Sequence, residues 1–169
     1  AVGNIARTEM TLVFYNDLDR RLEGQLYFPL AEGQTVSAFA LDVDGQMREG
    51  VVVEKQKGRK VFEDIVKRGI DPGLLEYVKG NNFSARVYPI PAKGTRKIRI
   101  AYEEGLNKNT EGYQYKLPLQ FAQVKHFSLV VESREIGSEP LVKAGKYAQM
   151  AFEKRKGANI GKMEQADFA

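Results

Sequence analysis

Cysteine is missing from this chain, tryptophan is missing, and histidine occurs once. Without cysteine there are no disulfides and no thiolate metal sites, although this alone does not assign a compartment. With His126 alone, neither an imidazole-based metal centre nor a Ser-His-Asp apparatus has the groups it needs. His126 opens a strand-like segment and reads as a partly exposed structural residue. No apolar run approaches the roughly 18 residues of a membrane-crossing helix. Neither G-x-x-x-x-G-K-[ST] nor G-x-G-x-x-G occurs, so no glycine-rich loop is available to cradle phosphates. There is no convincing internal repeat.

Charge is present in both signs. Lys and Arg number 26 against 22 Asp and Glu, for a net charge of +4 and a pI near 9.2. A nucleic-acid binder concentrates its basic residues and interleaves stacking aromatics. Here the acids are interleaved and the aromatics sit at core-type spacings, so nucleic acid is not an expected partner. Three basic runs stand out: Lys55-x-Lys57-x-Arg59-Lys60, Arg96-Lys97-x-Arg99 and Lys154-Arg155-Lys156. Lys55, Lys57, Arg59, Lys60, Arg96, Lys97 and Arg99 form the candidate surface for an anionic ligand or a partner. The plainer reading is a solvated face, because Arg99 alternates with apolar residues as an outer strand position does. Asp42, Asp44 and Gly45 resemble the start of a calcium loop, yet position twelve would be Val53 instead of a bidentate Glu. Glu54, Glu63, Asp64 and Glu76 share no evident apolar pocket that would separate their pKa values, and read as a solvated face. No catalytic residue, cofactor or metal is expected.

Alternation at period two dominates the chain. Ile5–Tyr15 is a strand with Met10, Leu12 and Phe14 in phase, and Asn16-Asp17 begins a turn. Leu22, Leu26 and Phe28 mark a second strand in which Gly24 signals a bulge. Val36–Val43 places Phe39, Leu41 and Val43 on one face. Asp44-Gly45 then predicts a type I′ hairpin into a strand over Gln46–Val53. Val61, Phe62, Ile65 and Val66 follow a helical period, so one amphipathic helix is expected over about residues 57–68, with Gly69 as its C′ residue. Asp71-Pro72-Gly73 turns the chain. Phe83–Ile90 and Thr95–Glu103 are expected to form a hairpin with Arg86, Lys97 and Arg99 on its wet face. The polar stretch Gly105–Gly112 is the candidate boundary. Beyond it Tyr113–Leu117, Val124–Glu132 and Tyr147–Glu153 read as strands, separated by Ser133–Pro140 and Lys154–Gly161.

Read together, Phe28-Pro29-Leu30, Leu41–Gly45, Glu49–Glu54, the Val61–Gly69 helix, Asp71–Leu75 and Phe83–Pro91 resemble the vault protein and inter-alpha-trypsin (VIT) module. The resemblance is strong over about residues 8–105. The segment opened by Lys125-His126-Phe127 is similar to the one after this module in inter-alpha-trypsin inhibitor heavy chains. Phe28, Pro29, Gly45, Gly69, Pro72, Gly73 and Pro89 match the module's pattern and read as fold-forming. The resemblance implies a non-catalytic scaffold or protein-interaction module, in an exported, extracytoplasmic protein of adhesion type, that holds a downstream von Willebrand A domain. No D-x-S-x-S motif occurs in this chain, so the metal-dependent adhesion site of that neighbouring domain is not carried over. The ending Asp167-Phe168-Ala169, without a polar tail, reads as a piece of a longer protein.

The expected fold is therefore all-β: an antiparallel β-sandwich-like module with one embedded amphipathic α-helix and a C-terminal β extension. Residues 1–105 would form the module and 106–169 an extension packing on it. The expected partner is a protein, or a downstream domain of the same chain. The alternative is a surface domain that binds a polyanion or glycan through the basic runs.

Overall fold

Residues that alternate in the sequence alternate in space. In the computed structural model, which describes residues 1–54, 74–78, 81–119, 124–135, 139–143 and 150–168, the chain divides into two compact units. One is Arg7–Glu104; the other comprises Ala1–Ala6 and Gly105–Ala169.

Two four-stranded sheets build the first unit. β1 (Ile5–Tyr15), β8 (Thr95–Gly105), β3 (Gln34–Val43) and β4 (Gln46–Glu49) lie in the order β1-β8-β3-β4. β2 (Leu22–Pro29), β7 (Asn82–Ile90), β6 (Leu74–Val78) and β5 (Val51–Glu54) lie in the order β2-β7-β6-β5. One core joins the sheets. Phe39, Leu41, Ile98, Ile100 and Tyr102 from the first meet Phe83, Ala85, Val87 and Ile90 from the second, with Leu30 beside them. Phe14, Leu22, Leu26, Phe28 and Val36 pack around that cluster. Val36 and Phe39 are three apart, the wrong spacing for one strand face. A register shift between Val36 and Ala38 absorbs the extra residue and returns both side chains to the core. The bulge signalled by Gly24 is present between Leu22 and Gly24.

The Asp44-Gly45 hairpin forms as its chemistry requires. Both residues have positive φ, 52° and 79°, and Val43 pairs with Gln46 across the turn. The strand after the turn is not continuous to Val53, however. β4 pairs with β3, whereas β5 pairs with β6 in the other sheet. The chain changes sheets at Gly50, whose N–H donates to the Phe39 carbonyl at 2.8 Å. β5 and β6 are parallel, a departure from the all-antiparallel expectation. The helix expected over residues 57–68 lies outside the described residues.

The hairpin expected from Phe83–Ile90 and Thr95–Glu103 does not form either. β7 pairs with β2 and β6, and β8 pairs with β3, so residues 91–94 bridge the two sheets as an arch. The arch is held from outside by Asn16, which is 1 % exposed. Its carboxamide Nδ2 donates to the carbonyls of Arg20 (2.7 Å), Pro91 (2.9 Å) and Ile90 (3.3 Å). Its Oδ1 accepts the Leu18 N–H at 3.0 Å, and its own N–H donates to the Gly94 carbonyl at 2.9 Å.

In the second unit β11 (Val124–Arg134), β13 (Ala158–Phe168) and β12 (Phe152–Arg155) lie in the order β11-β13-β12. β9 (Lys108–Asn109) and β10 (Gly112–Tyr113) form a separate short pair. The strand expected over Tyr113–Leu117 is therefore confined to its first residue. Lys154–Gly161, expected as a spacer, instead holds a tight turn: Lys156 and Gly157 have positive φ, and Arg155 pairs with Ala158 to start a long return strand. Gly161 is required there, since a Cβ would stand 2.5 Å from the Met150 sulfur and 2.9 Å from a Phe152 ring carbon. Phe127 stacks on Phe168 at 4.3 Å between centroids. The first two residues belong to this unit. The Ala1 ammonium donates to the Glu132 carbonyl, and the Arg134 N–H donates to the Ala1 carbonyl at 2.9 Å.

Replacing Asn16 removes three donated hydrogen bonds and strands their carbonyl acceptors. Asn16→Ala is expected to cost about 2–4 kcal/mol of unfolding free energy, read from urea denaturation. Asn16→Asp keeps the shape but turns an acceptor toward those carbonyls, and should fare no better at neutral pH.

Candidate interaction surface

The basic residues singled out from the sequence are described only in part. Lys55, Lys57, Arg59 and Lys60 lie outside the described residues. Of the second run, Arg96 is only 6 % exposed. It shares the phase of Ile98, Ile100 and Tyr102 on the inward side of β8, and its Nη2 donates to the Tyr88 carbonyl at 3.0 Å. That role is structural, and the sequence carried the signal for it: Arg96 is two residues before Ile98, not one. Arg99 points outward but is engaged, its Nη2 donating to Glu49 at 2.7 Å. Lys97 is exposed and makes no ion pair among the described residues. Lys154, Arg155 and Lys156 are all exposed around the β12–β13 turn, with Arg155 3.9 Å from Glu153.

Of the acidic and histidine candidates, the side chains of Asp42, Asp44 and His126 are described. Asp42 lies in β3 opposite Met47, Asp44 is the first residue of the hairpin turn, and no group of three or more His, Cys, Asp or Glu side chains suited to a metal occurs among the described residues. His126 is exposed on β11 opposite Ala166. Glu63 and Asp64 lie outside the described residues, as do the side chains of Glu54 and Glu76.

What charge counting missed is an aromatic and guanidinium patch on the outer face of β2 and β7. Tyr27 is 68 % exposed and Tyr88 42 % exposed. Between them Arg86 is clamped by Glu23, with Nε to Oε1 at 2.7 Å and Nη2 to Oε2 at 2.6 Å. The same guanidinium lies over the Tyr88 ring, 5.2 Å from its centroid. Gln25 pairs with Arg86 across the strands, and Tyr27 with Ser84. The hydrogen bonds from Arg86, and then its positive charge, lower the Glu23 pKa from the usual 4.5. Such a surface is pre-ordered, because a fork-shaped bidentate pair fixes both side chains. Tyr and Arg are also the residues enriched at protein–protein hot spots. The alternation Glu23-Gln25-Tyr27 and Arg86-Tyr88 on outward positions was readable in advance. That the two strands would be neighbours was not.

Comparison with known proteins adds family information. The family model described as "Vault protein inter-alpha-trypsin domain" matches residues 1–102. Inter-alpha-trypsin inhibitor heavy chain H3 of Pongo abelii is 27 % identical over 133 residues, covering 77 % of this chain and 15 % of that protein. The human heavy chain H3 gives the same identity and coverage. A von Willebrand factor A domain-containing protein of Dictyostelium discoideum is 22 % identical over 134 residues, covering 73 % of this chain and 15 % of the relative. The chain thus spans only a small part of the length of these relatives.

Two substitutions on neighbouring residues of β8 should separate by their depth. Lys97→Ala should change stability by less than about 0.5 kcal/mol, while Arg96→Ala should cost about 1–3 kcal/mol because a buried hydrogen bond to the Tyr88 carbonyl is lost. Parallel urea titrations check both. The Glu23–Arg86 pair gives a pH signature. A carboxylate held below its unfolded pKa contributes stability that is fully present above 4.5 and is lost as pH falls through the folded value. Glu23→Gln should therefore be less stable than the parent at pH 7, with the difference closing in acid, as followed by thermal melts across pH.

Proposed function

The chain belongs to the vault protein inter-alpha-trypsin domain family, and we propose from that premise that it is a non-catalytic interaction module. In this reading it holds a von Willebrand A-like domain located downstream in the same protein, of adhesion type. The observation that carries the reading is the family match over residues 1–102. Matched relatives include one that bears a von Willebrand factor A domain by name. A two-layer β module with one continuous core suits the task, because it presents faces and edges that do not shift when a neighbour pulls on them. The pre-ordered Tyr27–Arg86–Tyr88 patch is the surface proposed to meet that neighbour or another protein.

The finer organisation belongs to the same proposal. Residues 1–105 are read as the module and 106–169 as an extension leading onward. The amphipathic helix over about 57–68 is proposed from the helical period of Val61, Phe62, Ile65 and Val66 in the sequence. An extracytoplasmic location is inferred from the family alone.

The polyanion- or glycan-binding alternative rests on the basic runs. It is the weaker reading because Arg96 is buried and Arg99 is paired with Glu49.

Cross-linking mass spectrometry on the endogenous protein tests the first reading. Links are expected between this module and peptides of a domain carrying a D-x-S-x-S run. A protein without such a domain, or with one that never links to the module, would refute the holding role. Filter binding to heparin across salt tests the alternative. An interaction module should show no retained affinity at about 0.15 M salt, where surface charges are screened within roughly 8 Å. Retention that falls steeply with added salt would favour the polyanion reading.

A further inference from the structure

Of the seven asparagines in the chain, one opens an N-x-[ST] triplet with no proline in the middle: Asn82-Phe83-Ser84. Such a triplet arises easily by chance, so its placement decides what it can do. Asn82 is exposed and is the first residue of β7, directly after a turn in which Asn81 has a positive φ of 57°. Phe83, Ala85 and Val87 face the core, so Asn82 belongs to the outward set of β7 together with Arg86 and Tyr88. It pairs with Pro29, the last residue of β2, and with Val78, the last of β6, at one end of the sheet. A substituent on its carboxamide therefore leaves the sheet outward and adds no volume to the core. Tyr27 stands opposite Ser84 and is thus the diagonal neighbour of Asn82. Ser84 is only 5 % exposed, so the hydroxyl of the triplet is presented only before β7 folds.

We propose that Asn82 is an N-glycosylation site, filled before β7 folds, whose glycan borders the Tyr27–Arg86–Tyr88 patch. In the transfer, the Asn82 Nδ2 attacks the anomeric carbon of an oligosaccharide carried on a polyprenyl diphosphate. A C–N bond forms and the C–O bond to the diphosphate breaks. The lipid diphosphate leaves with the bonding pair, and Nδ2 gives up one proton to a base of the oligosaccharyltransferase. The attached glycan is bulky and hydrated, so it leaves the Tyr88 end of the patch as the side from which a partner approaches. The inference rests on the extracytoplasmic reading above, because the lipid-linked donor meets only chains that cross a membrane.

Peptide mapping of the endogenous protein tests it, since trypsin releases the triplet within the single peptide Gly80–Arg86. Treatment with peptide-N-glycosidase in heavy-oxygen water is expected to convert Asn82 to labelled Asp. A second arm directs the chain through a glycosylating secretory host behind an export signal. There Asn82→Gln and Ser84→Ala should each abolish the glycan, while Ser84→Thr should keep it. Offered to purified transferase with the lipid-linked donor, the urea-unfolded chain should accept glycan and the folded chain should not. An exported chain that melts cooperatively with Asn82 unmodified overturns the proposal. So does a glycan that survives Ser84→Ala, or equal transfer to the folded chain. An endogenous protein that never leaves the cytoplasm refutes the location instead, and the secretory arm keeps that failure distinct from a failure of Asn82 as acceptor.

Discussion

The Asn16 carboxamide is the constraint on which the sandwich in Arg7–Glu104 depends. β7 and β8 are consecutive, both are long, and a short turn joins them, so local energetics favour pairing them as a hairpin. Pairing would put Val87 and Ile98 in the same layer and leave neither β2 nor β3 with its central neighbour. Instead the chain rises from one sheet to the other through Pro91–Gly94, and the peptide groups at that rise cannot satisfy each other along a ladder. Asn16 supplies what the ladder would have: donors for the Ile90 and Pro91 carbonyls, and a backbone N–H for that of Gly94. Buried backbone acceptors left without donors would cost about 1–3 kcal/mol each. Arg96 continues the same work one turn further on, by donating to Tyr88 from inside the core face. One amide and one guanidinium thus make the crossing between layers affordable.

Strand positions were legible in the sequence, and partners were not. Alternation is a property of one segment; it identified Ile5–Tyr15 and Leu22–Pro29 to the residue, and the Asp44-Gly45 turn declared itself because positive φ at two adjacent positions has few chemical solutions. Pairing depends on groups far apart in the chain, such as Asn16 with Ile90. The same cause explains the strand over Gln46–Val53. Its apolar and polar residues look continuous, and only the Gly50 bond to Phe39 divides it between sheets. β13 was hidden for a different reason. Asn159-Ile160-Gly161-Lys162 carries a glycine and charges that read as a loop, yet Gly161 is there because Met150 and Phe152 leave no room for a side chain.

The candidate site was the least legible feature, and charge was the misleading signal. A basic run counted along the sequence mixes both faces of a strand. Arg96, Lys97 and Arg99 are three near neighbours with three fates: buried against a carbonyl, exposed, and paired with Glu49. Phase relative to Ile98 and Ile100 distinguishes them, and phase is the better guide wherever a strand has a core face. The outer patch on β2 and β7 arises by the converse logic. Glu23 and Arg86 cancel in any charge count, but their mutual clamp removes the rotamer freedom that a partner would otherwise have to freeze on binding.

That difference bears on what kind of recognition this fold supports. A polyanion is held by many unpaired cations whose counterions it displaces, so cations already neutralised by neighbouring carboxylates are poor material for it. A protein partner gains more from rigid aromatic area flanked by a fixed guanidinium, where little entropy remains to be lost. Tyr27 and Tyr88 supply the area, and the Glu23–Arg86 clamp supplies the rigidity. These features support the proposed reading of a protein-interaction module.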